Sequence, residues 1–159
     1  MRLRLLIAAA GTLAFSGAAF AQLPVEVHAN QQQLLESGNP ALAANKKLVF
    51  DFWREVLQAR HVERAPEYLA ESYIQHNPNV ATGRAAFMDF FGRFPREPIK
   101  GTIDDLVDIV AERDLVVLAL RRELPDLEHE GQTYTTTWFD MFRIADGKIV
   151  EHWDYGTKE

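Results

Sequence analysis

The sequence has no cysteine. That excludes a disulfide framework, a zinc–thiolate centre and a thiol nucleophile. It has no excess of positive charge either. Seventeen lysines and arginines stand against 23 aspartates and glutamates, a formal net charge of −6. A nucleic-acid binder would show a basic stripe, so no nucleic-acid partner is expected. The chain lacks G-x-S-x-G, G-x-G-x-x-G, the phosphate-binding P-loop and H-E-x-x-H. Neither an internal repeat nor a low-complexity linker is present. Beyond the first segment, no apolar run approaches the roughly 20 residues of a spanning helix.

What is there is ordinary in amount. The 159 residues are 47% hydrophobic and 25% charged, the range of one folded domain. The first segment stands apart. Arg2 and Arg4 form a basic start, Leu5 to Phe15 is apolar, and Ala19-Phe20-Ala21 has the small-x-small pattern of a cleavage site. This is the pattern of a secretory signal peptide over residues 1–21. A periplasmic or secreted protein is expected, with no membrane span once the leader is cut after Ala21.

Residues 22–38 are polar and rich in glutamine and read as a loose, partly helical arm. The folded domain is expected over 39–159. Asn39-Pro40 marks a helix start, a capping side chain followed by a first-turn proline. Val49, Phe52, Trp53, Val56 and Leu57 then form one apolar stripe at i, i+3, i+4, i+7 and i+8, ending near Arg60. His61 to Leu69 reads as a second short helix, in which Pro66 marks a break or a new first turn. Ser72 to Asn79 reads as an irregular stretch, because Asn77 precedes a proline. Arg84 to Gly92 reads as a third helix.

From Lys100 the period changes. Leu106–Ala111 and Leu115–Leu120 are strand-like runs joined by a turn at Glu112-Arg113-Asp114. Tyr134–Ile144 and Ile149–Tyr155 are two more, joined at Asp146-Gly147. Three helices followed by a four-stranded antiparallel meander make an α+β layout, with helices on one face of the sheet.

A two-residue loop at Asp146-Gly147 predicts a register for the last hairpin. Ile144 would face Ile149, Phe142 would face Glu151, and Asp140 would face Trp153. Trp138, Asp140, Phe142, Ile144, Ile149, Trp153 and Tyr155 would then share one face. Phe139, Met141, Arg143, Val150, His152 and Asp154 would share the other. Asp140 is the misplaced group, a carboxylate on an aromatic face. Burial raises a carboxyl pKa, as a general acid or base near neutral pH requires. The alternative is a structural Asp140, paired with Arg121 or Arg122 or set at the sheet rim.

His76 is the second candidate. It sits among the hydrogen-bonding side chains Tyr73, Gln75 and Asn77, and imidazole exchanges protons near neutrality. Its alternative is a loop histidine bonded to backbone. His152 and Asp154 would bind a metal only if a third ligand approached, so no metal is expected. His28, His61 and His129 carry no second catalytic cue. The stripe of the first helix is core, although Trp53 is placed to wall a pocket.

Two segments carry a resemblance. They are Tyr73-Ile74-Gln75-His76-Asn77-Pro78-Asn79-Val80 with Gly83-Arg84, and the run from Phe139-Asp140-Met141-Phe142-Arg143 through Asp146-Gly147-Lys148-Ile149-Val150-Glu151-His152-Trp153-Asp154. With the order of helices and strands, they resemble the SnoaL-like polyketide cyclases of the nuclear transport factor 2-like fold, over about residues 42–156.

The resemblance implies a cone-shaped α+β barrel, a curved, mostly antiparallel sheet whose pocket three N-terminal helices close. It implies cofactor-free aldol chemistry with an aspartate as acid and base. That role falls on Asp140, with His76 as its polar partner, and Asp154 is the rival acid if the register flips. Trp53, Tyr73, Asn77, Trp138 and Trp153 are then the expected substrate contacts. Polyketide cyclases work beside a cytoplasmic synthase. An exported relative is expected to handle a small hydrophobic carbonyl compound, by aldol or isomerase chemistry or by binding alone. A homodimer through Phe139, Met141 and Val150 is the remaining expectation.

Overall fold

The computed structural model describes residues 22–158. Residues 1–21, where the leader is expected, lie outside the described residues. The first long element is α2, Pro40–Phe52. The Asn39 side chain accepts a hydrogen bond from the Ala41 N–H at 2.9 Å, satisfying an otherwise unpaired donor of the first turn. The helix runs on through a π-helical turn, Trp53–Gln58. A 3₁₀ turn at Val62–Arg64 and the one-turn α3, Ala65–Tyr68, follow, so of the two expected roles Pro66 takes that of a new first turn. Helix α4 spans Arg84–Phe91.

The strands are β1 Leu69–Gln75, β2 Leu106–Glu112, β3 Leu115–Pro125, β4 Thr133–Ala145 and β5 Lys148–Trp153. Their order in the sheet is β1-β5-β4-β3-β2. The expected antiparallel meander is present as β2 to β5. A fifth strand, β1, lies parallel beside β5. The sheet is curved but not closed, since β1 and β2 form its two edges. The fold class is therefore the expected α+β.

Strand β1 corrects the irregular stretch expected from Ser72. Its pairing slips between Leu69, opposite Ile149, and Ile74, opposite Glu151. Only Leu69 and Tyr73 of the strand are fully buried. A bulged strand does not alternate cleanly, which hides it from a period-two reading.

The arm is not loose. Helix α1, Gln31–Leu34, carries Gln31 into the core. There the Gln31 amide donates to the Ile103 carbonyl at 2.7 Å and accepts from the Ile103 N–H at 2.9 Å. The Val25 N–H donates to Thr135 Oγ1 at 2.7 Å. A buried glutamine that meets both demands of one backbone unit fixes a segment that composition alone marks as solvated.

The core lies between the helices and the concave face of the sheet. Val49, Phe50, Phe52 and Val56 of the first long helix pack on Leu69, Leu106, Ile109, Leu118 and Phe142. Phe52 is the hub, its ring about 6 Å from those of Tyr68, Phe87 and Phe142. Glu55 is also buried, and it is paired. Tyr68 Oη donates to it at 2.6 Å, and Arg54 and Arg64 flank it. Among the described residues no helix is long and apolar enough to cross a membrane.

Candidate active site

Asp146 (φ 50°) and Gly147 (φ 69°) make the expected two-residue turn, with Ala145 opposite Lys148 and Ile144 opposite Ile149. Positive φ at both positions suits the twist of a hairpin. The register then slips by one residue. Arg143 lies opposite Glu151, Phe142 opposite His152, and Met141 opposite Trp153. Val150 is thus an extra residue in β5, a bulge that re-aims everything after it. The expected pairing of Asp140 with Trp153 is overturned. His152 turns to the concave face beside Asp140, and Trp153 turns away.

Asp140 and His152 are both buried. His152 Nε2 lies 2.7 Å from Asp140 Oδ1, and His152 Nδ1 lies 2.9 Å from Gln75 Oε1. Gln75 Oε1 also accepts from the Asn77 backbone N–H at 3.0 Å, and Gln75 Nε2 donates to Tyr73 Oη at 3.2 Å. The network fixes the amide orientation and so the tautomer. Nδ1 carries hydrogen. Nε2 then either carries a second hydrogen or accepts one from Asp140. Either way a proton lies between the two side chains.

Burial pushes the Asp140 carboxyl above its ordinary range, with the His152 hydrogen bond pulling the other way. Asp140 Oδ2 has no hydrogen-bond partner among the described residues. Tyr73 is buried against the same network. Desolvation, then the neighbouring Asp140 and Asp154, hold its phenol well above its usual range, so it stays a neutral donor.

Asp154 joins from the end of β5. Asn77 Nδ2 donates to its Oδ2 at 2.8 Å, and the Gly156 N–H donates to its Oδ1 at 2.7 Å. A Cβ on Gly156 would fall 2.2 Å from Asn77 Nδ2 and 2.8 Å from Asp154 Oδ1, so a side chain there would push the Asn77–Asp154 contact apart. Asn79 Nδ2 donates to the Thr157 carbonyl at 2.8 Å. Asn77 and Asn79 therefore tether residues 154–157 to the site. Asp140, His152 and Asp154 also bring one ligand atom each within 4.8 Å of one another. Asp140 thus joins His152 and Asp154 in one cluster whose donor types could hold a divalent metal.

These groups border a cavity of about 1050 Å³ between sheet and helices, at the upper end of small-molecule sites. Of the expected site residues, Asp140, Trp53, Tyr73, Asn77 and Trp138 line it. The expected placement of His76 and Trp153 there is overturned, since the described lining includes neither. They stack on each other on the outer side, ring centroids 5.2 Å apart. His76 Nε2 lies 2.9 Å from Glu151 Oε1. That bond, with Arg143, holds the Glu151 carboxyl below its usual range. Strand alternation accounts for this: Gln75 and Asn77 point inward, so His76 between them points out. Gln75 and His152 were the residues missed. The His152-x-Asp154 spacing signalled one shared face, but nothing in the residues signalled the bulge.

Residues 49–152 match the family of SnoaL-like domains. No curated protein matches the sequence. Among solved structures, a provisionally named SnoaL-like polyketide cyclase from Jannaschia superposes with a TM-score of 0.52 at 18% identity, covering 76% of this chain and 90% of that one. A provisionally named polyketide cyclase from Acidithiobacillus ferrooxidans gives 0.51 at 18% identity, over 70% and 86%. An LEH-like epoxide hydrolase from Mycobacterium tuberculosis gives 0.50 at 15%, over 72% and 84%. At these identities the likeness is one of fold, and one fold hosts several chemistries.

Proposed function

Because the chain belongs to the family of SnoaL-like domains, we propose that it is a cofactor-independent enzyme that moves a proton next to a carbonyl. The reaction is an aldol condensation or an isomerisation of a small hydrophobic carbonyl compound. The observation that carries this reading is the buried Asp140–His152 pair at 2.7 Å on an aromatic-walled cavity.

The steps follow from the hydrogen bonds. His152 holds Asp140 Oδ1, leaving Oδ2 to take a proton from the carbon beside the carbonyl. Burial strengthens Asp140 as a base. The neutral Tyr73 phenol has a hydrogen to donate to the enolate oxygen that forms. The enolate carbon then attacks a second carbonyl, or is reprotonated at another position. Asp140 returns its proton to the new alkoxide or to carbon, and the enzyme ends as it began. Trp53 and Trp138 supply apolar wall.

A test incubates the protein with aryl methyl ketones in D₂O and follows deuteration of the methyl group by NMR. Deuteration faster than in buffer, lost in Asp140→Asn, is the expected result. A ketone that binds without deuteration would favour a binding protein instead. The basic, apolar and Ala-Phe-Ala succession of residues 1–21 supports export to the periplasm or beyond. The outer face of the sheet supports a homodimer. Val110, Val117, Met141 and Trp153 form one rung across four strands there, and Phe139 is 56% exposed beside it.

A further inference from the structure

The cavity is electrically polarised along the sheet. At one end stand Asp140, His152 and Asp154. At the mouth stand three guanidinium groups, Arg60, Arg121 and Arg122, with two carboxylates, Asp104 and Asp105. The carboxylates are spent. Asp105 pairs with Arg121 at 3.1 Å and Asp104 with Lys100 at 2.5 Å. Arg60 and Arg122 form no ion pair among the described residues, although the Arg122 charge still reaches Asp140 and favours its ionised form.

Both are held by rings. The Arg122 guanidinium lies 4.6 Å over Trp138. That of Arg60 lies 5.5 Å from the Phe91 ring and 5.4 Å from Phe94, with one N–H given to the Leu57 carbonyl. A guanidinium stacked on an aromatic face is oriented, and its in-plane N–H donors stay available for a planar bidentate acceptor.

The spacing sets the shape of a ligand. On the concave face Leu118 lies opposite Asp140, Leu120 opposite Trp138, and Arg122 opposite Thr136. Arg122 is thus four residues from Asp140 along the strands, about 14 Å at roughly 3.4 Å per residue. The Trp138 ring lies between them, and the arginine side chain leans back over it.

We propose that the mouth is an anion subsite, and that the ligand is a carbonyl compound with a carboxylate at its far end. Arg122 is the principal contact and Arg60 the second. An apolar body lies along Trp138 and puts the carbonyl at Asp140. This rests on the acid–base reading of Asp140, and it narrows the substrate to hydrophobic keto acids.

The test uses the full chain and two probes, the para-linked acetylbiphenyl carboxylate and its methyl ester. Binding is read by tryptophan quenching and deuteration of the acetyl methyl by NMR. Wild type is expected to bind the acid about tenfold or more tightly than the ester, the scale of a charge-assisted pair. Arg122→Gln removes most of that preference, and Arg60→Gln with Arg122→Gln removes the rest. Added salt weakens the preference, because Arg122 is exposed. Equal binding of acid and ester, no binding of the acid, or a preference that survives the double substitution would overturn the subsite. Deuteration of the ester by wild type reports the acid–base reading separately. If the acid preference holds without deuteration of either probe, the subsite stands and the catalytic reading falls.

Discussion

His152 Nε2 stands 2.7 Å from Asp140 Oδ1, and the other nitrogen of the same ring is claimed by Gln75. That pairing turns a buried carboxylate from a liability into a proton store. An unpaired ionised carboxylate at this depth would be costly. Here the imidazole carries or accepts the compensating proton, and the bulge at Val150 makes the meeting possible.

Asp140→Asn keeps the shape of the side chain and removes its basicity. Ketone deuteration should fall by roughly 10²-fold or more, the usual worth of a positioned base. Circular dichroism should be unchanged. An Asp140→Asn protein with near-wild-type deuteration would remove Asp140 from the chemistry.

The same carboxyl has a stability consequence of definite sign. Burial raises its pKa in the native state, while the unfolded chain has the ordinary value of about 3.9. Between those two values the native state holds more protons than the unfolded state. Stability then falls as pH rises across that window and is level above it. Denaturant titrations of wild type should show this descent, and Asp140→Asn should lack it. Parallel curves for the two proteins would show that the native pKa is not raised.

Much of this was legible in the residues. The helix start at Asn39, the meander, the Asp146-Gly147 turn and the oddity of Asp140 all follow from local chemistry and period. The rest depends on two slips of register: in β1 the five steps from Leu69 to Ile74 pass beside two of β5, and in β5 Val150 is one extra residue. The slip in β1 hid a strand, and the slip at Val150 exchanged His152 for Trp153 beside Asp140. A two-residue period inverts at every such slip, and slips are set by packing of the whole sheet, which no local window contains. His76, expected at the pocket, lies outside its lining because strand alternation turns it away. The segment was right, but the facing side chains were its neighbours Gln75 and Asn77.

His76→Ala is therefore the informative control. The ring lies outside the cavity, stacked on Trp153 and bonded to a partly exposed Glu151. Deuteration rates should stay within about twofold of wild type, and the stability loss should be about 1 kcal/mol or less, typical of exposed pairs. A large loss of rate with the fold intact would return His76 to the mechanism.

Met141→Glu tests the outer face. Met141 sits in the rung formed with Val110, Val117 and Trp153, one residue pair from the exposed Phe139. A glutamate there would bury a charge in an apolar interface. Sedimentation should show a dimer for wild type and a monomer for the variant, both retaining ketone binding. A wild-type monomer, or a dimer that Met141→Glu leaves intact, would place the interface elsewhere or abolish it.

Gln75→Leu separates position from chemistry. Gln75 lies behind His152, and its oxygen accepts both the Nδ1 hydrogen and the Asn77 N–H. Leucine is of similar size and offers no acceptor, so the buried Nδ1–H and the Asn77 N–H both lose a bond. The ring is then no longer held in one orientation against Asp140. Deuteration should fall by roughly tenfold, the lower end of the loss seen when an outer hydrogen bond to a working histidine is removed. Its pH profile should shift as well, which a merely structural loss would not do. Gln75→Glu restores an acceptor, and should recover part of the rate with a profile displaced the other way, since a negative neighbour favours the charged imidazole. If Leu and Glu at this position lower the rate equally and leave the profile where it was, Gln75 serves only to hold the end of β1 in place.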